Sequence, residues 1–146
     1  GLGAPHWDME ARGLLTGLTR GSNKNHIIRA SLEAMAYQTH DVIQTLEKET
    51  GAKITSLAVD GGATENNFLM QFQADMLQIE VERVHDIETT ALGVAYLAGL
   101  GMGIWDSAKL KSFAAQKTIF SPGLPPDKRD FLIEGWNAAI KQAVTK

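Results

Sequence analysis

The sequence predicts an α/β fold in which helices outnumber strands, and three observations carry that prediction. Apolar residues recur every three to four positions from Lys24 to about Thr50, the period of a long amphipathic helix. Two short runs rich in β-branched residues, Ile54–Val59 and Ile79–Val84, read as strands. Helical segments alternate with those strands, the order expected of layered α/β domains.

Taken in order, residues 1–21 are rich in glycine and contain an apolar run, Leu14 to Leu18, that reads as an edge strand. Ser22 or Asn23 suits a helix N-cap. The helix that follows places Ile28, Leu32, Met35, Val42, Ile43 and Leu46 at helical spacing, and Gly51 stands where a terminating glycine belongs. After the strand Ile54–Val59, Thr64 is the expected cap of a helix whose apolar face holds Phe68, Leu69, Phe72 and Met76. Ile79–Val84 alternates apolar and polar residues, as a half-buried strand does. Glu88–Gly101 reads as a short helix lined with alanine and glycine. Residues 106–126 read as a short helix and a loop punctuated by Ser-Pro-Gly-Leu-Pro-Pro. Asp127–Lys146 closes as an amphipathic helix with Leu132, Trp136, Ala139, Ile140 and Ala143 on its apolar side.

Composition narrows the function classes. With 44% hydrophobic and 21% charged residues, the 146-residue chain has the makeup of a folded domain rather than a disordered one. Its net charge of −3 and scattered basic residues give no nucleic-acid surface. It has no cysteine, so neither a disulfide framework nor a thiolate metal site can form, which accords with a cytoplasmic location. The most apolar segment, Ala91–Trp105, is shorter than the ~20 residues that span a bilayer. The opening Gly1-Leu2-Gly3-Ala4-Pro5-His6-Trp7 resembles an interior loop, and so few strands are sparse for a complete sheet. The expectation is a piece of a longer protein.

The stretch of most chemical interest is Val59-Asp60-Gly61-Gly62-Ala63-Thr64-Glu65-Asn66-Asn67. A strand passing through glycines into a helix start is a recurrent phosphate and nucleotide site. Glycine lets the backbone approach a ligand, and free N–H groups at a helix start favour negative charge. Thr64, Asn66 and Asn67 could present hydroxyls or amides to a sugar, base or phosphate. The pattern is neither Gly-x-Gly-x-x-Gly nor a P-loop. On the residues alone a second reading stands beside it: a tight strand-to-helix turn with capping asparagines. Asp60 could fix that turn or approach a metal-bound phosphate.

Other candidates read more simply. Gly93, Ala95, Ala98 and Gly99 form a small-residue face suited to close helix packing, with Glu88, Thr89 and Thr90 placed to cap that helix or line a cleft. His6, His26, His40 and His85 lack metal-ligand spacing, and Asp8, Asp41, Asp75 and Asp86 are scattered. Trp7, Trp105 and Trp136 read as packing residues. No nucleophile elbow is present.

At "VDGGATENNFLMQFQADML" the sequence resembles the glycerol kinases of the carbohydrate-kinase family, within the actin and hexokinase superfamily. Further segments match in order and with natural spacing: "GLGAPHWD", "ARGLLTGLTRG", "HIIRASLEAMAYQTHDV", "VERVHDIETTALGVAYLAGLGMGIW" and "EGWNAAIKQA". The resemblance covers essentially the whole chain and implies a partial actin-like (ribonuclease H-like) ATPase domain. Residues 1–146 would form the C-terminal part of the second, nucleotide-binding domain. It implies transfer of the γ-phosphoryl of MgATP to glycerol, giving sn-glycerol 3-phosphate. It also implies a homo-oligomer in the intact enzyme.

By the same resemblance, Gly62 matches a glycine that contacts nucleotide, and Asn66 an asparagine beside adenine and ribose. Gly61, Ala63 and Asn67 lie in the same turn. The cofactor is ATP or ADP with Mg2+, the metal held mainly by nucleotide and by residues outside this chain. The glycerol pocket, catalytic base and phosphate hairpins also lie outside it, so the chain alone is expected to be inactive. The Glu88–Ala98 segment resembles the connecting helix at an interdomain hinge. His6 stands where relatives commonly have tyrosine. Gly123–Phe131 lacks a suitable carboxylate in place of the more acidic surface of some bacterial relatives, so their regulator binding and intermolecular zinc are not carried over. Two alternatives remain at this stage: the same portion of another carbohydrate kinase acting on a pentulose or polyol, and a stand-alone, non-catalytic nucleotide-binding or assembly module.

Overall fold

A computed structural model describes residues 1–84, 89–112 and 116–145. The readings made for His85, Asp86 and Glu88 lie outside the described residues. The elements run α1 (Lys24–Thr50), β1 (Ser56–Val59), a 3-10 turn (Gly62–Glu65), α2 (Asn67–Leu77), β2 (Glu80–Val84), α3 (Thr89–Gly101), α4 (Ser107–Ser112), β3 (Lys117–Phe120) and α5 (Pro126–Ala143). Helices outnumber strands, as the sequence predicts. The strands form one sheet in the order β1-β2-β3, with β2 parallel to β1 and antiparallel to β3.

Local chemistry explains the limits of α1. Asn23 caps it, its side chain accepting from the Asn25 backbone N–H at 3.0 Å, while the His26 ring accepts from the Asn23 N–H at 3.2 Å. Gly51 ends it at φ +68°, in the left-handed region where glycine avoids the Cβ penalty. The short connection to β1 is fastened by Glu47, whose carboxylate accepts from the Ile54 N–H at 2.8 Å.

The core lies between α1, α2 and the sheet. Ala36 and Tyr37 of α1 meet Leu69, Met70, Phe72, Ala74 and Met76 of α2 and Val81 of β2. Leu57, Val59, Phe120, Leu124, Leu132, Ile133 and Trp136 close around them. Trp136 stacks on Tyr37 at 5.3 Å, and Tyr37 meets the edge of Phe72 at 5.4 Å. Such contacts add to the stabilisation from apolar burial. Arg129 fastens α5 by donating from Nε to the Met76 carbonyl at 2.8 Å.

Four details differ from the sequence reading. Leu14–Leu18 forms no strand; an isolated Leu2–Asp8 bridge is the only pairing described in the first 21 residues. A strand needs a neighbour, and none stands beside this run among the described residues. The segment read as loop contains β3, whose antiparallel pairing with β2 supplies what its four residues could not specify alone. The buried stripe of α1 is Ala36, Tyr37, His40 and Ile43, whereas Ile28, Met35, Val42 and Leu46 are exposed, because α2 packs against the former side. Finally, Asn66 rather than Thr64 caps α2.

Candidate functional site

β1 carries the chain to Asp60, and the turn begins there. Gly61 sits at φ +86°, a conformation that favours glycine over any L-residue. Gly62 and Ala63 follow on the exposed rim, and no atom lies within 4 Å of where a Cβ on Gly62 would stand. Backbone at Gly62 is therefore open to close approach. Thr64 turns inward and is buried, its hydroxyl donating to the Gly61 carbonyl at 2.7 Å. The 3-10 turn adds a second closure, from the Thr64 N–H to the same carbonyl at 3.0 Å.

Asn66 begins α2. Its Oδ1 accepts from the Leu69 N–H at 3.1 Å, which satisfies one of the orphan donors of the helix start. With the oxygen held by the cap, the side-chain NH2 is the group Asn66 can offer outward. Asn67 is exposed as well, and its Oδ1 accepts from Arg83 Nη1 at 2.8 Å. The same guanidinium nitrogen donates to the Thr64 carbonyl at 2.8 Å. The structure thus brings half-buried Gly61 and exposed Gly62, Ala63, Asn66 and Asn67 into one turn at the end of β1.

Asp60 leaves this group in another direction. Its carboxylate accepts from the Thr89 hydroxyl, tying the end of β1 to the first residue of α3. Thr89 is thereby joined to the turn at the end of β1. Arg83 is the participant the sequence reading missed. Its approach depends on the β1–β2 register, in which Val59 stands opposite Arg83.

The small-residue face divides. Trp105 lies over Gly99, whose added Cβ would fall 2.0 Å from the indole, whereas Gly93 has open space. Trp105 Nε1 donates to the Tyr96 carbonyl at 3.1 Å. Trp105 and Trp136 are packing residues as expected; Trp7 is exposed. His40 is buried and faces Asp41 and Arg129, while His26 serves the α1 cap. No helix among the described residues is long and apolar enough to cross a membrane.

The chain as a whole resembles known proteins in sequence and in fold. Over 97% of its length the chain is 55% identical to glycerol kinase of Desulfitobacterium hafniense, and over 99% it is 53% identical to that of Clostridium botulinum. It spans 29% of the length of each relative. Among solved structures, Plasmodium falciparum glycerol kinase with ADP superposes over the whole chain with a TM-score of 0.87 at 34% identity. A ligand-bound xylulose kinase from Lactobacillus acidophilus covers 96% of the chain with a TM-score of 0.74 at 26% identity. Each solved chain is likewise matched over 29% of its length. Residues 1–102 match the model of the FGGY family of carbohydrate kinases, C-terminal domain, and with the overall fold in agreement the chain belongs to that family.

Proposed function

We propose that this chain is the nucleotide-binding C-terminal portion of a glycerol kinase, an enzyme that transfers the γ-phosphoryl group of MgATP to glycerol and yields sn-glycerol 3-phosphate. The observation that carries the reading is identity of 52–55% to glycerol kinases sustained across 97–99% of the chain. Xylulose and gluconate kinases share the fold at 26% identity, which favours glycerol over another carbohydrate as substrate. The relative solved with ADP supports a nucleotide as ligand, and the open backbone at Gly62 supports its placement at the turn.

In this reading residues 1–146 are the C-terminal part of the second actin-like domain. Gly62 and Asn66 contact the nucleotide directly, and Gly61, Ala63 and Asn67 shape its surroundings. Gly62 lets backbone reach the adenosine, and Asn66 offers its amide. Phosphoryl transfer depends on positioning and charge stabilisation. The described residues hold no group of three or more His, Asp or Glu side chains that could cage a metal. Mg2+ is proposed to be held mainly by the nucleotide phosphates and by residues outside this chain. The intact enzyme is proposed to be cytoplasmic and homo-oligomeric, with the glycerol site and catalytic base outside these residues.

The test uses the protein at the full length of its relatives. Glycerol-dependent ADP release is expected, and Asn66→Ala should weaken MgADP binding about tenfold in calorimetry, equivalent to ~1.4 kcal/mol. The 146-residue chain alone should show no turnover. Phosphorylation of a pentulose but not glycerol would assign the chain to a sister kinase. Nucleotide binding without any phosphoryl transfer would make it a binding module.

A further inference from the structure

We propose that Arg83 is a positioning residue of the nucleotide turn: its guanidinium fixes the Thr64 carbonyl and the Asn67 side chain so that Gly62 and Asn66 are presented outward. This rests on the reading of the turn as the nucleotide site. Sheet register puts Arg83 in place. It stands opposite Val59, three residues before Gly62, at the level where β1 gives way to the turn. From there Nη1 reaches both acceptors at 2.8 Å, one at the end of the 3-10 turn and one at the first residue of α2. A single cation thus spans the joint between the two helical segments.

The far side of the guanidinium is held too. Its central carbon lies 5.2 Å from the centroid of the Phe120 ring on β3, within cation–π reach. Arginine suits this position because its charge is permanent and its planar fork can stack and donate at once. Charge-assisted bonds to a carbonyl and an amide oxygen are stronger than neutral ones. Thr64 and Asn66 are already committed to the turn by their own hydrogen bonds. The Arg83 bridge determines how that turn sits against the sheet. Arg83 itself touches no nucleotide in this account; it acts through Thr64 and Asn67.

Arg83→Gln, Arg83→Lys and Asn66→Ala would be compared in the full-length protein by MgADP calorimetry and steady-state kinetics. Arg83→Gln should raise the MgADP Kd and the nucleotide KM about tenfold, with kcat within about twofold and the KM of the phosphoryl acceptor unchanged. Arg83→Lys should recover part of that loss, since an ammonium keeps the charge without the planar stack. That split separates positioning from general destabilisation, which would depress every parameter together. An unchanged nucleotide affinity in Arg83→Gln, alongside weakened binding in Asn66→Ala, would overturn the Arg83 role and leave the turn's reading intact. Unchanged affinity in both would overturn both. Should Arg83→Gln fail to fold, Arg83→Lys decides alone: wild-type nucleotide affinity and KM would refute the proposal.

Discussion

Asp41 shows how one carboxylate can join three parts of the chain. Trp136 of α5 donates to its Oδ2 at 2.7 Å, the His40 ring lies 3.5 Å from Oδ1, and His6 of the opening loop faces Oδ2 at 3.6 Å. Arg129 Nη2 stands behind His40 at 3.4 Å. Burial opposes ionisation of Asp41, but the hydrogen bonds from His40 and Trp136, with His6 beside them, outweigh it and hold the carboxyl below its ordinary range. A depressed folded-state pKa contributes stability that is present above the unfolded pKa and lost as pH falls through the folded one. Asp41→Asn should therefore destabilise by on the order of 1 kcal/mol at neutral pH. In urea titrations the gap between the two proteins should be flat above about pH 5 and narrow below about pH 4, near the ordinary carboxylate pKa. A gap that widened on acidification would refute this account. At this scale the glycines and asparagines of the turn were legible, because turn and cap chemistry is local. Arg83 was not, since its partners lie 16 and 19 residues away and are reached only through sheet register.

At the scale of elements, α1 and α2 were readable from helical periodicity, while the short strands were not equally so. Lys117–Phe120 owes its strand conformation to β2, and the neighbouring prolines and glycine favoured reading it as loop. Leu14–Leu18 errs in the opposite direction, apolar enough for a strand but with no paired partner described. The Gly99–Trp105 contact tests how tightly an element can be specified. The indole covers Gly99 so closely that Gly99→Ala must displace Trp105. Overpacking of this kind costs about 1–3 kcal/mol. A lower melting temperature and an altered near-ultraviolet tryptophan signal are the expected outcome. Gly93→Ala is the control, since its Cβ would enter open space and should leave that signal unchanged.

Across the whole molecule, the class of fold was legible because alternation of elements survives errors at their ends. Which faces are covered was less legible. Val94, Leu97, Met102 and Ile104 are exposed on and after α3, and Leu14, Leu15 and Leu18 are exposed near the start. Periodicity marks such residues as apolar but cannot name what packs on them.

The bond from Trp136 to Asp41 also has a kinetic meaning. It joins residues 95 apart, so the chain must close a long loop before the contact stabilises anything. Contacts within α1 and between β1 and β2 can form at far smaller separation. The α5 clasp should therefore be absent from the folding transition state and present only in the native basin. Trp136→Phe, which removes the indole donor, should accelerate unfolding about fivefold while refolding is unchanged. Stopped-flow chevrons would reveal it as a raised unfolding limb alone; a slowed folding limb would place α5 in the nucleus. The last helix to dock would then be the one that sets how long the native state endures.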